Sequence, residues 1–581
     1  MEIMKNRIFI TLLLLAVVNS ACEKYLDRPP LDQLTDQQIT FSAKEMELYA
    51  NKYYGNFPVL AGPDYGPYER DNASDNLVSG NYNYDAQISG TITVPASGGG
   101  WDWSMLRGLN FFLENYHKSN DPLSLTSPYI GEIYFWRAWF YYEKLKQFGD
   151  VPWVNTALYA DSEELFDGRV SRTVIADSII ADLDRAVSFL PEKNLADDGR
   201  IHKDVALLFQ SRVALYEGTW EKYHAGTEFG VEGSDFNRFF RTAASAAKQV
   251  MDKGVYAIEV VGGDIEKGYW SLFNQTDLST NKEVLLWKKY DLALGITNNS
   301  QSIWGVSDNN TGVSKYMVDA YLCSDGLPIS ISPLYRGDDL VEEEAVDRDP
   351  RLRQTVFQRG DPRVIKDGQV MGRFTVPDMT FDSRLRNTTG YQLYKGCDPA
   401  AVHEGGYITA SIIFRYAEAL CNYAEAKAEL GECTQEDLDN SVNKLRDRVG
   451  MPHMKVEVGF VDPNWDFPEL SPLINEIRRE RRVEFACEGY RFDDLMRWAA
   501  VNLIKRPMIG AKMQQFADIK NEFRPVLNPS AILVNKDGYI APHANSPAQN
   551  GWQFDEKKHW LKPIPSNELV LNPNLVQNPG Y

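Results

Sequence analysis

Residues 414–432 read FRYAEALCNYAEAKAELGE, and this stretch decides the fold. Ala417, Ala424 and Ala428 recur in it at helical intervals, so small side chains share one part of the helix surface. Small side chains let a second helix approach closely, and Gly431 then ends the helix. The stretch therefore predicts a helix packed tightly against another helix, in a fold made mainly of helices.

The segment YFWRAWFYYEKLKQFGDVPWV at residues 134–154 also begins as a helix. Aromatic residues crowd all of its sides, so we expect it to lie between two other helices rather than on the surface. Gly149 and Pro152 follow, and a glycine with a later proline is a typical helix end. The segment NKLRDRVGMP at residues 443–452 ends in the same way, at Gly450 and Pro452.

Residues 201–217 carry an apolar stripe with helical spacing, and the polar positions lie opposite. The stripe consists of Val205, Leu208, Phe209, Arg212, Val213 and Tyr216. Such a stripe must be buried against a neighbouring helix.

Helical hairpins with short turns are therefore predicted in two clusters, at about 101–253 and 409–502. They favour a tetratricopeptide-like solenoid scaffold, although the sequence shows no strict 34-residue period. Long irregular loops and a few short strands complete the fold, with one strand expected at Glu283–Trp287. We expect a signal peptide at 1–21 and one domain at 22–581. Its helical scaffold covers about 36–253 and 409–502, and its irregular ligand-binding region covers about 55–100, 254–408 and 504–581.

The N-terminus has the pattern of an export signal. Lys5 and Arg7 precede an apolar run from Ile8 to Val18, which is too short to span a membrane. Cys22 follows the expected cut after Ala21, so it is the predicted lipidation site of a bacterial lipoprotein. The alternative is an ordinary signal peptide that ends near a cysteine.

Composition limits the kind of partner. The chain has 581 residues, of which 43% are hydrophobic, and its net charge is -20, which argues against a nucleic-acid ligand. The seven histidines are scattered singly and the six cysteines form no CxxC pair, so no metal and no cofactor is expected.

Seven motifs, in this order, resemble the SusD/RagB family of outer-membrane lipoproteins from Bacteroidetes. They are CEKYLDRPP (22–30), the segment 134–154, RDPRL (348–352), FRYAEALCNYAEA (414–426), NKLRDRVGMP (443–452), ERRVEFACEGYRFDDLMRW (480–498), and the terminal PIP (563–565) with QNPGY (577–581). The resemblance implies a surface-exposed, lipid-anchored protein on tetratricopeptide-like helices that binds glycan and is not an enzyme. It also implies a SusC-like TonB-dependent outer-membrane transporter as partner, which the lipoprotein covers as a hinged lid.

The charged motif residues are predicted to be structural. Alternating charges at helical spacing usually form ion pairs on helix faces. The set in the last helical motif is Glu480, Arg481, Arg482, Glu484, Glu488, Arg491, Asp493 and Asp494. For Arg348, Asp349 and Arg351 we favour a buried Arg-Asp pair that fixes the irregular region, over contact with ligand.

Ligand binding is expected from loop residues outside the motifs. A sugar ring stacks its C–H face on an aromatic ring, while amides, carboxylates and guanidinium groups bind its hydroxyls. Loop aromatics beside such groups are the candidates: Trp101 and Trp103 after three glycines, Trp304 within NNSQSIWGVSDNN (298–310), Tyr82 and Tyr84 in NYNYD, and Arg70, Asp71 and Asn72 in the preceding loop. Each has a structural alternative. Trp101 or Trp103, for example, could simply begin a helix.

Two other functions stay open. A glycoside hydrolase could hide a pair of catalytic carboxylates among the 81 acidic residues, because such a pair depends on spatial separation. No GxSxG, HExxH, GxGxxG or Walker motif appears. The second alternative is a protein-binding tetratricopeptide scaffold that binds no glycan.

Overall fold

A computed structural model describes residues 41–581 except 63, 307–308, 380–384, 402–405, 518 and 523–527. The predicted signal peptide and the lipidation site Cys22 lie outside the described residues. Within the described ranges, no helix combines the length and the apolar character that crossing a membrane requires.

The protein is mainly helical. Its α-helices are α1 (Ala43–Asn51), α2 (Ser104–Asn115), α3 (Leu123–Phe148), α4 (Arg172–Phe189), α5 (Lys203–Tyr223), α6 (Phe236–Asp252), α7 (Gly268–Leu272), α8 (Gln301–Val306), α9 (Lys315–Ala320), α10 (Val341–Glu344), α11 (Arg351–Thr355), α12 (Tyr416–Glu429), α13 (Gln435–Asp439), α14 (Val442–Arg448), α15 (Pro472–Glu484), α16 (Arg491–Arg497), α17 (Val501–Ile504) and α18 (Ser566–Leu571). A 3₁₀ helix at Gly66–Ala73 belongs to the loop region that follows α1.

Four short strands form two antiparallel pairs. Strand β1 (Val284–Lys288) pairs with β4 (Ser411–Arg415), and β2 (Pro362–Lys366) pairs with β3 (Gln369–Arg373). The predicted strand at 283–287 is confirmed with a shift of one residue. Phe414 and Arg415 belong to β4, where they lie opposite Leu286 and Val284, so α12 begins two residues later than the stretch 414–432 suggested.

Consecutive long helices form antiparallel hairpins, α3 with α4 and α5 with α6, and α12 packs against both α6 and α15. This arrangement confirms the predicted tetratricopeptide-like scaffold. Helix α3 lies against α1, α2 and α4, as its aromatic residues on every side predicted. It ends at Gly149, whose φ of 70° is easily reached only without a side chain.

Helix α5 differs from the prediction. The stripe that includes Val205 and Phe209 is buried, but so are Leu207, Gln210 and Ser211 on the side expected to be polar and exposed. The reason is that α4, α6, α12 and α16 surround α5, which makes it a central helix rather than a surface one.

The small residues of α12 act as predicted. Ala417 and Ala424 have no exposed surface, and α12 packs on α6, which presents the buried Ala243 and Ala247. Alanines on both helices allow the two backbones to approach closely.

Most of the charged motif residues are buried and ion-paired, which confirms their predicted structural role. Glu488 and Asp493 are half-buried, and Arg348 donates to backbone carbonyls, among them that of Val318. Arg351 forms an ion pair of 2.7 Å with Asp349 and another of 2.7 Å with Glu480 of α15. One detail of the prediction is wrong. Most of these ion pairs join residues of two different helices, strands or loops, rather than residues on one face of a single helix. Arg481 of α15, for example, pairs with Asp494 of α16 at 3.0 Å.

Candidate functional site

Three loop segments that the sequence singled out meet on one surface. The segment after the 3₁₀ helix Gly66–Ala73 lies beside residues 309–312, because the Val78 amide donates to the Gly312 carbonyl and the Gly80 amide to the Asn310 carbonyl, both at 2.8 Å. A β-carbon on Gly80 would lie 2.1 Å from the Asn310 side-chain oxygen, so any larger residue there would displace the Asn310 side chain. We name this region the Tyr84 surface, defined by Glu69, Arg70, Asn81, Asn83, Tyr84 and Asn309.

Tyr84 offers an aromatic face on this surface, with 43% of its side chain exposed. Asn81 and Asn83 beside it are also exposed. Partial burial and the nearby carboxylates of Glu69 and Asp64 raise the pKa of Tyr84 to about 12. The ring therefore remains a neutral phenol at physiological pH, which can stack and hydrogen-bond without carrying charge.

Planar polar groups stand around this ring. Asn309 and Asn310 have φ angles of 48° and 58°, a left-handed conformation that asparagine tolerates, and the Asn309 amide donates to the Glu69 carboxylate. Arg70 is exposed, and no carboxylate of the described residues lies within ion-pair distance of its guanidinium group. The surface thus combines one aromatic ring with the guanidinium group of Arg70 and with the Glu69 carboxylate, which already accepts from the Asn309 amide.

The start of α16 supports the Arg70 loop. Gly489 has a φ of +82°, and a β-carbon there would lie 2.9 Å from the Pro67 carbonyl oxygen and 3.3 Å from Arg70 Cβ. The loop therefore rests directly on the glycine backbone.

Asp71 and Asn72, also predicted to bind ligand, are buried instead, with exposures of 0% and 3%. The Asp71 carboxylate accepts a 3.0 Å hydrogen bond from Asn76, and burial raises its pKa to about 6. Asn72 accepts a hydrogen bond from Thr311. Both side chains hold the loops together from within, so the prediction that they contact ligand is wrong in this conformation.

Trp304 is the largest departure from the prediction. It lies in helix α8, has 0% exposure, and packs against Tyr65 and Tyr68 with ring centroids 4.6 Å and 5.6 Å away. Residues around it were expected to form an open loop, but a short helix turns this ring inward. It cannot serve as an exposed stacking face.

The remaining three predicted aromatics lie elsewhere. Trp101 is only 8% exposed and meets Phe148 edge to face at 4.9 Å, so it belongs to the core. Trp103 is half-buried at the N-cap of α2, as the structural alternative supposed. Tyr82 is half-buried against the main core.

Trp103 lines an open groove of about 620 Å³. Tyr159 and Phe166, 43% and 52% exposed, share this groove, and Arg107 lies 5.5 Å from the Tyr159 ring. Its lining is mostly apolar, with fewer groups for sugar hydroxyls than the Tyr84 surface has.

Comparison with known proteins identifies the family. Residues 272–581, more than half of the chain, match the model of the SusD family. The chain belongs to the SusD family. Its residues 24–215 match a second family model, described as starch-binding and associating with the outer membrane.

Individual relatives of this SusD-family chain are distant but span most of it. The SusD-like protein P2 of Formosa agariphila is 22% identical over 485 residues, which cover 82% of this chain and 79% of the relative. A SusD-like carbohydrate-binding protein of Bacteroides fragilis is 22% identical, with a TM-score of 0.68, and the match covers 92% of this chain and 99% of that one. A laminarin-binding SusD-like protein is 18% identical, with a TM-score of 0.53 over 93% of this chain and 99% of that one. At these identities the two structures support the fold alone.

Sequence reasoning missed four members of the Tyr84 surface. Asn81 and Asn83 lie in the segment NYNYD beside Tyr84, Glu69 directly precedes Arg70, and Asn309 lies in the loop chosen for Trp304. The Asn-Asn pair at 309–310 was the available signal, because consecutive asparagines favour a left-handed turn that turns side chains outward.

Proposed function

We propose that this SusD-family protein captures glycan on the Tyr84 surface. The observation that carries the proposal is the exposed Tyr84 ring beside the guanidinium group of Arg70, which lacks an ion pair, and the Asn309 amide. A sugar ring would stack on the tyrosine while its hydroxyls bind the polar groups. The starch-binding description of one matching family model supports the same ligand class.

The expected affinity is weak, because the sugar would stack on an aromatic ring and form no ion pair. Each sugar adds a small apolar contact, and no charge pairing with a neutral glycan contributes, so we expect dissociation constants of about 1 µM or weaker. Because screening acts on charge pairs, binding of a neutral glycan should change little with ionic strength.

Delivery to a transporter completes the proposed function. The protein would be anchored to the outer membrane by acyl chains on Cys22 and would cover a SusC-like TonB-dependent transporter as its lid. The resemblance of the motifs and the outer-membrane description of the second family model support this assignment. Capture without cleavage fits it, since the second family model is described by binding and association rather than by a reaction.

Titration calorimetry with a panel of neutral oligosaccharides, including laminari- and malto-oligosaccharides, tests the site. We expect Tyr84→Ala to weaken binding at least tenfold, and Tyr84→Phe to keep most of the affinity because the ring remains. Trp103→Ala is the matched comparison on the other aromatic groove. If Trp103→Ala loses glycan binding and Tyr84→Ala does not, the binding site is the groove that Trp103 lines rather than the Tyr84 surface.

Two further measurements address the alternatives. Release of reducing ends from a polysaccharide, abolished by a single carboxylate substitution, would establish a glycoside hydrolase. Absence of binding by the unmodified protein to any glycan of the panel would favour the protein-binding scaffold.

Radiolabelled palmitate incorporation, lost in Cys22→Ser, tests the anchor.

A further inference from the structure

A small cavity lies beside Arg70, where the helical scaffold meets the irregular region. Residues of α3 and α16 line one part of it, and the loops around Leu60 and Arg70, together with Phe273, line another. The cavity is open to solvent and holds about 100 Å³, the volume that about three molecules of liquid water occupy. We name it the Arg70 cavity, defined by Leu60, Arg70, Tyr142, Glu143, Lys146 and Asp493. Because Arg70 belongs to both, the cavity adjoins the Tyr84 surface.

The charges beside Arg70 are balanced. Lys146 forms ion pairs with Glu143 at 3.0 Å and with Asp493 at 2.9 Å. Arg70 lies near the same two carboxylates, although neither is within ion-pair distance of its guanidinium group. Two positive charges therefore face two negative charges. The other charged groups of the lining are paired within the fold, namely Arg212 with Glu418, and Arg415 with Glu488. A balanced wall favours a neutral ligand over an ion.

Polar groups that a ligand can reach lack a partner among the described residues. Tyr142 is only 2% exposed, and its hydroxyl group forms no hydrogen bond there but keeps some accessible surface, so it faces the cavity. The exposed guanidinium group of Arg70 also donates to no described acceptor. Glu143 and Asp493, with side chains 34% and 23% exposed, each bind Lys146 through one oxygen, so the second oxygen of each can accept another hydrogen bond.

These groups indicate a hydrogen-bonding occupant. Buried polar groups nearly always have a partner, so the Tyr142 hydroxyl group is expected to meet one inside the cavity. A ligand there finds donors in Tyr142 and Arg70 and acceptors in the two carboxylates. It can therefore be a group that both donates and accepts hydrogen bonds.

Apolar side chains complete the lining. Leu60 and Phe273 are 3% and 5% exposed, and Trp139 of α3 is 9% exposed. A group that fills the cavity should thus be small and neutral, with an apolar end beside its donor and acceptor. The acetamido group of an N-acetylated sugar has a methyl group, an N–H donor and a carbonyl acceptor. A hydroxyl or hydroxymethyl group would leave the apolar side chains without contact.

We propose that the Arg70 cavity binds the acetamido group of an N-acetylated sugar in a glycan held on the Tyr84 surface. The Tyr142 hydroxyl group donates to the acetamido carbonyl, the acetamido N–H donates to a carboxylate of the wall, and the methyl group lies against Leu60 and Phe273. The inference rests on the proposed function, since it names the class of glycan that the Tyr84 surface captures. That class is a neutral glycan that contains N-acetylhexosamine.

Matched pairs of oligosaccharides test this inference. Tetra-N-acetylchitotetraose is compared with cellotetraose, and N-acetyllactosamine with lactose, by titration calorimetry on the full mature protein. The two members of a pair share linkage and configuration and differ only in whether an acetamido or a hydroxyl group is present. The acetylated member should bind at least about tenfold more tightly in one pair or both, because it adds hydrogen bonds and buries a methyl group.

Tyr142→Phe removes one hydroxyl group and keeps the ring. The variant should fold normally, because the ring still packs edge to face on Phe209 and Tyr216 and the hydroxyl group has no described partner to lose. It should bind the acetylated member about fivefold more weakly, the effect of one hydrogen bond, and bind the other member as before. Tyr129→Phe is the matched control, since Tyr129 is half-buried on the same helix, about 20 Å away along its axis. It should change neither affinity.

The outcomes separate this inference from the proposed function. Tyr84→Ala should weaken both members of a pair alike, because stacking on the ring does not involve the acetamido group. Equal affinity within every pair overturns the inference and leaves the proposed function standing wherever neutral glycans still bind through Tyr84. A preference for the acetylated member that Tyr142→Phe does not reduce places the acetamido group elsewhere, and it also overturns the inference. No saccharide binding of any kind overturns both.

Discussion

Arg415, the last residue of strand β4, donates a hydrogen bond of 2.6 Å to Glu484, the last residue of helix α15. The same carboxylate accepts from Arg351 at 3.1 Å and from Arg448 at 2.5 Å. Burial alone would raise the pKa of Glu484, but the three guanidinium groups hold it well below its usual range. One buried carboxylate thus joins the helical scaffold to the irregular region that carries the binding surface.

Substitution of Glu484 by glutamine should destabilise the protein severely. It would leave three arginines, each at most 1% exposed, with one buried negative charge fewer. Breaking a buried ion pair on one side typically costs about 3–5 kcal/mol. Urea denaturation followed by circular dichroism measures this loss. The matched control is Asp252→Asn, since Asp252 pairs with Lys248 on the surface, and its change should stay below about 0.5 kcal/mol. Similar losses in both variants would contradict the proposed role of Glu484.

Trp304→Ala should act on stability and not specifically on glycan binding. The ring is fully buried between Tyr65 and Tyr68, and truncation of a buried tryptophan to alanine costs about 3–5 kcal/mol. The denaturation midpoint should therefore fall strongly, while the folded fraction binds neutral glycan with the affinity of the unmodified protein. Normal stability combined with lost binding would restore Trp304 as a ligand residue.

The contrast between Trp304 and α12 shows what the sequence can predict. The alanines of α12 lie within one helix, so their spacing alone reveals the face that another helix covers. Trp304 is buried by Tyr65 and Tyr68, more than 200 residues earlier in the chain, and no local pattern records that contact. The helical frame was predictable because it is periodic, whereas the ion pairs of the charged residues join different elements, and spacing along the chain did not reveal those partners. The packing of distant loops decides which loop aromatic remains exposed, and the sequence does not show that packing. Of the predicted ligand residues, only Tyr84 and Arg70 are exposed on the Tyr84 surface.

Gly489→Ala should disturb the binding surface from behind. The residue has a φ of +82°, and its new β-carbon would meet the Pro67 carbonyl at 2.9 Å, so the loop that carries Arg70 must shift. Gly226→Ala is the matched control, because Gly226 has a φ of +79° and no atom within 4 Å of the added carbon. In both variants, backbone strain should lower the free energy of unfolding by about 1 kcal/mol. Gly489→Ala alone should be destabilised further, and it alone should bind glycan more weakly when measured by calorimetry. Equal behaviour of the two would argue against a supporting role for Gly489.

His224 should contribute to the acid sensitivity of the fold. Its ring stacks on Trp220 at 4.0 Å and meets Trp560 edge to face at 4.9 Å, and its Nε2–H donates a 2.9 Å hydrogen bond to the Met496 carbonyl. Burial is the main reason that its pKa falls from 6.5 to about 3, and the charge of nearby Arg172 acts in the same direction. The unfolded chain therefore binds a proton at His224 as pH falls below 6.5, before the folded protein does. Stability from the neutral ring is complete above pH 6.5 and is lost progressively as the pH falls toward 3.

The pH response of a glutamine variant isolates this effect. His224→Gln keeps a donor for the Met496 carbonyl but does not titrate, so it should be less stable than the unmodified protein by an amount that shrinks in acid. By linkage, lowering the pH from 7.5 to 5 should destabilise the unmodified protein by about 2 kcal/mol more than the variant. Urea denaturation at both pH values measures the difference, and His117→Gln, at an exposed histidine, serves as the control. If the unmodified protein and His224→Gln respond equally to pH, His224 has the same pKa in the folded and the unfolded chain, which would contradict the proposed effect of its burial.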